Sequence, residues 1–459
     1  MMRKKTLPIN VNHLLLNRNF ALLWLGEAIS VLGDAAFDSA LALWVGTRVA
    51  GGQPWAPFAF SGVYLAGTLP GLLIGPMAGV FVDRWEKRHT MLIMDLVRAL
   101  LILLLLFVSG LLPLPLVGGL VLPIWGQLLA IYSTVALLST CGQFFGPSKM
   151  ALLGDIVLEQ QLGQASTLSS IAGNMGWLLG PALGSLCFMT FGPLWSVLIN
   201  ALSFVLSWLM IRGIHVSETA RRVAVSERGH FLREFGEGLH FALSDRTVTT
   251  IIGSGMLFML GVGALNTLYL FFLLENVHVP AGLYGFFVAV PACGAIVGSA
   301  LIGRFIRRIG EARLLWLALL AWSGTMLVLA RQEQFWPAVA LLFCLGGCNA
   351  WIGSAIMPLL LRATPREMIG RVSGVTWPCM SMASMLSTFL AGFLSSTALH
   401  HFHATLGGMH FGFVDTIYTV VGLLALIASI NAMRKLRTFG PEAEEMETST
   451  DQKREVNIG

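Results

Sequence analysis

The sequence predicts an all-α transmembrane fold of twelve helices arranged as two six-helix halves. Three observations carry that expectation. Only 12% of the 459 residues are charged and 56% are hydrophobic, with a mean hydropathy of +0.76, whereas soluble domains carry about 25% charged residues. Twelve apolar runs follow one another, each close to the roughly 20 residues that cross a bilayer. The basic residues gather in alternate connections. These features exclude a cytosolic enzyme, a nucleic-acid-binding domain and a disordered chain, so the lipid bilayer is the expected partner and nucleic acid is not.

In chain order the runs are 20–45, 58–82, 90–110, 120–143, 165–189, 193–213, 248–274, 281–303, 313–330, 335–359, 372–397 and 411–433. Helices are required because an isolated strand leaves its backbone unsatisfied in lipid. A barrel would show alternating segments of about 10 residues instead. The expected organisation is an N-terminal cytoplasmic tail (1–19), a first half (20–213), a linker (214–247), a second half (248–437) and a disordered tail (438–459). In the linker, Phe231, Phe235 and Leu239 fall four apart, the pattern of a helix lying along the membrane surface. The polar residues Asn12, His13, Asn17, Arg18 and Asn19 interrupt the first apolar stretch, which argues against a signal peptide. The six Cys all lie in apolar runs without a CxxC pair and read as reduced packing residues.

Counting the flanks of these runs puts 26 of the 29 Lys and Arg residues on one side, Lys149 among them. Arg48 and Arg331 fall on the other side and Arg98 within a helix. The positive-inside rule then places both termini in the cytoplasm, for a multi-pass protein of the cell (inner) membrane. Gly71–Gly75 of run two and Gly294–Gly298 of run eight form a faint repeat 223 residues apart, near half the chain. Duplicated halves with a mid-membrane site at their interface are a recurring transporter plan.

The connection after run two reads Gly79-Val80-Phe81-Val82-Asp83-Arg84-Trp85-Glu86-Lys87-Arg88. It resembles the signature loop between helices two and three of the major facilitator superfamily. The resemblance implies that Gly79 permits close helix approach and that Asp83, Arg84, Lys87 and Arg88 form a gate between the halves. The same residues would also serve as plain anchors of a tight inside loop. Run five carries Gly176, Gly180, Pro181 and Gly184, which resemble the fifth-helix motif of that superfamily's antiporters, with Ser185 where the family often has Gly. Small residues every fourth position also occur simply for packing.

Further segments resemble the macrolide-efflux-like branch of multidrug exporters: Arg18-Asn19-Phe20, Gly33-Asp34, Phe144-Phe145-Gly146-Pro147 and Pro365-Arg366-Glu367 with Gly370-Arg371. The resemblance therefore spans nearly the whole chain and implies a major-facilitator-type fold. One departure matters. Many proton-coupled exporters place an Arg in helix four, and run four has none.

Ionisable residues inside a bilayer are costly and mark functional sites. Glu27, Asp34 and Asp38 share one face of run one at spacings of seven and four. They are the candidate proton-coupling groups, Asp34 first, with hydrogen-bonded structural roles as the alternative. Asp95 and Arg98, three apart in run three, can pair as a structural or gating ion pair. Asp415 reads as a cap of the last helix. Trp44, Asn266, Tyr269, Asn349, Trp351 and Trp377, with Met380, Met382 and Met385, are weaker candidates for an apolar substrate pocket with a few polar handles. Packing or lipid contact is the alternative for each. His400, His401, His403 and His410 cluster in an outside loop, but no Cys or carboxylate stands beside them, so no metal site is expected.

The expected function is secondary active export of hydrophobic or cationic small molecules, drugs and macrolide-like compounds among them, by proton antiport and alternating access. The alternative is a dedicated exporter or importer of one metabolite, such as a siderophore or lysolipid. No phosphate-binding Gly-x-x-x-x-Gly-Lys motif is present, so the proton gradient is the expected energy source, without a cofactor. No intramembrane nucleophile–base set appears, so no catalytic residue and no enzyme are expected, and the transporter is expected to act as a monomer. A green fluorescent reporter fused after residue 440 should fluoresce and an alkaline phosphatase fused there should stay inactive. The reverse result would invert the assignment of sides.

Overall fold

A computed structural model describes residues 16–82, 84–108, 122–215, 231–399, 402, 404–406 and 409–436. Among them stand fourteen α-helices: α1 (Arg18–Trp44), α2 (Ala56–Leu73), α3 (Gly75–Val82), α4 (Lys87–Val108), α5 (Ile124–Ile156), α6 (Leu162–Phe191), α7 (Pro193–Arg212), α8 (Phe231–Ser244), α9 (Arg246–Phe271), α10 (Tyr284–Ile309), α11 (Glu311–Leu329), α12 (Phe335–Ala363), α13 (Ile369–Ser396) and α14 (Phe413–Lys435). Twelve of the helical segments are long and apolar enough to cross a membrane, one for each apolar run. α1 and α9 each end in one wider π-type turn, Val45–Val49 and Phe272–Asn276.

Three boundaries depart from the sequence pattern for physical reasons. Run two breaks at Ile74 into α2 and α3, because Pro76 has no N–H to continue the ladder. Run four continues to Ile156 instead of stopping near residue 143. Pro147 sits inside that helix, yet the following turns are held by buried Leu152 and Leu153 and by Asn17, whose Nδ2 donates to the Ile156 carbonyl at 2.7 Å. Tertiary packing outweighs the local cost of one proline. Beyond α13, a short antiparallel hairpin pairs β1 (Ala404–Leu406) with β2 (Met409–Phe411), Thr405 opposite His410.

Contacts divide the chain into two compact units, Met1–Leu41 with Leu69–Ser226, and Ala42–Thr68 with Glu227–Gly459. In the first, α6 and α7 both close on α1 through small residues. A Cβ added at Gly176 would meet Val31 and Leu32, one at Gly180 would meet Ala35, and one at Gly184 would collide with the Ala36 carbonyl. On the α7 side, Gly33 lies against Ser203 and Asn200. Phe20, Leu23, Met91, Leu152, Leu153 and Ile211 form the core at one end of this unit.

In the second unit, α9 packs against α13 and α14, and α10 against α12. Gly294 and Gly346 touch the carbonyls of Phe343 and Pro291, while Gly298 lies against Gly347. The corresponding pair Gly71 and Gly75 in the first unit faces Gln143 of α5. The repeated glycine pair thus has one use in both places, contact between the second and fourth spans of its set. The linker helix α8 docks onto α9 and α13: Ala242 is buried with Val248, Ile252, Leu360 and Val372. Gly238 approaches the Arg371 carbonyl, and Glu237 pairs with Arg371 at 2.7 Å. Residues Ala42–Thr68 pack on α13 through Phe58 (5.9 Å from Phe389, ring to ring) and through Ser61 against Gly392.

Overpacking a tight contact costs about 1–3 kcal/mol. Gly184→Ala should therefore lower the melting temperature of the purified protein, whereas Gly173→Ala on the same helix, where an added Cβ meets nothing within 4 Å, should not. Equal melting of the two variants would show that α6 does not press on α1.

Candidate functional site

The glycine contacts orient α1. With 100° per residue, Val31, Leu32, Ala35 and Ala36 form the face toward α6, and Gly26 and Gly33 the face toward α7. Glu27, Asp34 and Asp38 project from the face between them, toward the charged residues of α4 and α5. The acids therefore point into their own helical unit.

The groups there form a ladder. Glu27 is buried and its Oε1 pairs with Lys149 Nζ of α5, while Oε2 has no hydrogen-bond partner among the described residues. Asp95 is fully buried: Oδ2 accepts from Ser207 Oγ at 2.7 Å and Oδ1 lies 3.8 Å from Arg98. The Arg98 guanidinium sits over the rings of Phe145 (4.9 Å) and Phe204 (5.5 Å), beside the bare backbone of Gly142. Asp34 is half-buried next to Asn200 and within electrostatic reach of Arg98, and Asp38, next to Asp34, is exposed. Asn200 is itself buried; its Oδ1 accepts from Ser203 Oγ at 3.1 Å. Four carboxylates and two cations thus lie close together in one unit, Asp38 at the exposed edge of the set. Buried charges at such a cost persist only when paired and hydrogen-bonded, and the set can bind, hold or pass protons and cations.

Lys149 corrects the sequence expectation that it belongs to an inside loop: it stands within α5, paired with Glu27. The proline two residues before it hid the continuation of the helix. Asn200, Ser203, Ser207 and Gly142 were also passed over. The spacing of the three polar residues, three and four apart in the sixth run, was the available signal.

The signature-loop residues are placed separately. Gly79 lies in α3, and an added Cβ there would meet no described atom within 4 Å, so close helix approach does not require glycine in this structure. Asp83 lies outside the described residues. Arg84 is exposed and Lys87 opens α4. Arg88 donates to the Ile211 and Arg212 carbonyls (3.2 and 2.6 Å), capping the C-terminus of α7. Trp85 stacks on Phe144 and lies tilted against Phe81. The Gly176, Gly180, Pro181 and Gly184 set is the α1–α6 contact already described.

The pocket candidates all lie in the second unit and do not act alike. Tyr269 is buried and donates to the Phe287 carbonyl at 2.6 Å. Trp351 donates from Nε1 to the Gly298 carbonyl at 2.9 Å, and Met380 is buried against Gly255. Those polar handles are spent on backbone. Trp44 is buried, and Asn266 donates to the Tyr64 hydroxyl at 3.4 Å. Asn349, Trp377 and Met382 are exposed and Met385 is half-buried. Asp415 caps α14 as its position implied, accepting from the Gly412 amide at 2.8 Å. His400, His401 and His403 lie outside the described residues, and no group of metal-ligating side chains occurs among those described.

The family described as transmembrane secretion effector, of the major facilitator superfamily, matches residues 14–408. The chain belongs to that family. Macrolide efflux protein A of Streptococcus pyogenes is 22% identical over 91% of this chain and 97% of its own length. An uncharacterized MFS-type transporter of Bacillus subtilis is 22% identical over 94% and 95%. The multidrug resistance protein MdtG of Serratia proteamaculans is 24% identical over 77% and 82%. Among solved structures, the nucleoside transporter NupG superposes with a TM-score of 0.69 at 13% identity, covering 91% of this chain and 98% of that one. A bacterial homologue of the iron transporter ferroportin, inward-facing, gives 0.68 at 16%, covering 90% and 98%. This secretion-effector-family protein is accordingly an integral membrane transporter of small molecules with the major-facilitator fold, and not an enzyme.

Removing one partner of a buried pair strands the other. Lys149→Met in this transporter should cost about 2–3 kcal/mol, below the range for a fully buried pair, because the Lys149 side chain retains 20% exposure. Glu27→Gln/Lys149→Met should recover most of the loss in a thermal melt. Additive losses would show that the two side chains do not depend on each other.

Proposed function

We propose that this transporter expels hydrophobic and cationic small molecules in exchange for protons, by alternating access. One observation carries the reading: Asp34 and Asp38 keep accessible surface on the face of α1 turned toward α4 and α5, where the acids well inside the spans outnumber the cations four to two. A carboxylate there is costly unless it takes up a proton or a cation, and intramembrane acids mark proton and substrate paths. A drug cation and a proton then compete for the same charge. Binding the drug releases the proton, and rebinding the proton releases the drug on the far side.

The names of the distant efflux relatives support this substrate class. A proton moving down 100 mV supplies about 2.3 kcal/mol, enough for about a forty-fold gradient of a neutral compound. Both termini face the cytoplasm of the cell membrane in this reading, a monomer is the working unit, and the proton gradient is its energy source.

In everted vesicles from an efflux-deficient host, ethidium transport should collapse with a protonophore and should fall at least tenfold in Asp34→Asn at unchanged protein level. A matching susceptibility panel should show resistance to several unrelated compounds, erythromycin among them. Full ethidium efflux from Asp34→Asn removes that carboxyl from the mechanism. Protection against one compound alone favours a dedicated carrier.

A further inference from the structure

We propose that Arg98 is a shared counter-ion that passes between Asp95 and Asp34 as the latter gains and loses a proton, and that Gly142 is left bare to give the guanidinium room. The inference rests on the proton-coupled reading above and assigns its internal switch. Arg98 meets Asp95 from its own helix at 3.8 Å, without a hydrogen bond, and Asp95 Oδ1 and Arg98 Nε are both buried with no hydrogen-bond partner among the described residues. The pair is in contact but not locked. From α1 the group facing it is Asp34, itself beside Asp38; from α5 they are Cys141, Gly142 and Phe145; from α7 they are Phe204, Asn200 next to Asp34 and, through Asp95, Ser207. The second cation, Lys149, is engaged by Glu27.

Both rings lie within cation–π distance of the guanidinium carbon, an attraction that constrains position over the ring more than the direction of the N–H bonds. A Cβ at position 142 would stand 3.2 Å from Arg98 Nη2, so any longer side chain takes the volume through which the guanidinium turns. Charge balance gives the direction. With both carboxyls ionised, Asp34, Asp95 and Arg98 sum to one negative charge. When a proton from water forms an O–H bond on Asp34, the set becomes neutral and Arg98 belongs to Asp95 alone. When that proton returns to water, the guanidinium is drawn back toward Asp34. A neutral set moves through low dielectric at far smaller cost than a charged one.

The test is a coupling cycle on purified full-length protein, reading the Asp95 carboxyl band by infrared difference spectroscopy through a pH titration. Asp34→Asn should displace the Asp95 midpoint by about one pH unit when Arg98 is present, the scale on which coupled sites titrate together. In Arg98→Leu only the direct repulsion between the two carboxylates remains, so the displacement should shrink to less than half. If Arg98→Leu does not fold, Arg98→Lys supplies the arm, and it should retain the charge but reduce the displacement. Gly142→Leu should cut proton-driven ethidium efflux at least tenfold, while Gly146→Leu, where an added Cβ meets nothing within 4 Å, should leave it unchanged. A displacement equal with and without Arg98, or no displacement at all, overturns the proposal. Insensitivity of wild-type efflux to a protonophore would instead defeat the proton-driven reading while the infrared cycle still reports on Arg98.

Discussion

Everything in the first unit depends on how closely α6 and α7 approach α1. Two faces of α1 are occupied by glycine-mediated contact, Gly176, Gly180 and Gly184 on one side and Gly33 against Ser203 on the other. The remaining face carries the acids. Because close contacts of this kind admit no side chain, the rotation of α1 is set by packing and not by the charges themselves. Carboxylates that would be prohibitively costly against lipid are thereby turned toward Arg98, Lys149 and Asn200. The small-residue stripe of α6 is consequently a positioning device for chemistry carried on another helix, whatever further role its resemblance to an antiporter motif implies.

Hydropathy made the spans legible, since only backbone-satisfied helices cross lipid and their lengths follow bilayer thickness. The acid face of α1 was legible for the same reason: a charge in an apolar run stands out. Lys149 did not, because Gly146-Pro147 is written like a helix end, and the packing that carries α5 through to Ile156 comes from residues far away in sequence. Arg88 was read as part of a gate on local pattern, whereas its carbonyl partners belong to α7, more than 120 residues away. Tyr269 and Trp351 look like ligand handles until their backbone partners are known. Single-sequence pattern reveals which side chains are out of place in lipid. It does not reveal which partner resolves them.

The two halves of the chain share construction but not charge. Each uses a glycine pair to bring its second span against its fourth, and each ends its first span in a π-type turn. Yet the ionisable residues well inside the spans, namely Glu27, Asp34, Asp38, Asp95, Arg98 and Lys149, all belong to the first unit. The charged residues of the second unit's spans stand at helix ends, as Arg246, Glu275, Glu311, Arg371 and Asp415 do. Packing devices are what a duplicated fold needs in both copies to remain a helix bundle. Charge is needed in only one copy if a single titrating cluster drives the cycle, and every additional buried ionisable group would cost several kcal/mol without a partner. The asymmetry is what a coupling mechanism confined to one lobe requires. Under the proposed exchange mechanism the second unit, whose charges stand at helix ends and which holds Trp44, Tyr64 and Asn266 among its half-buried and buried groups, would be left to present apolar surface, which tolerates varied shapes because it demands few directed hydrogen bonds.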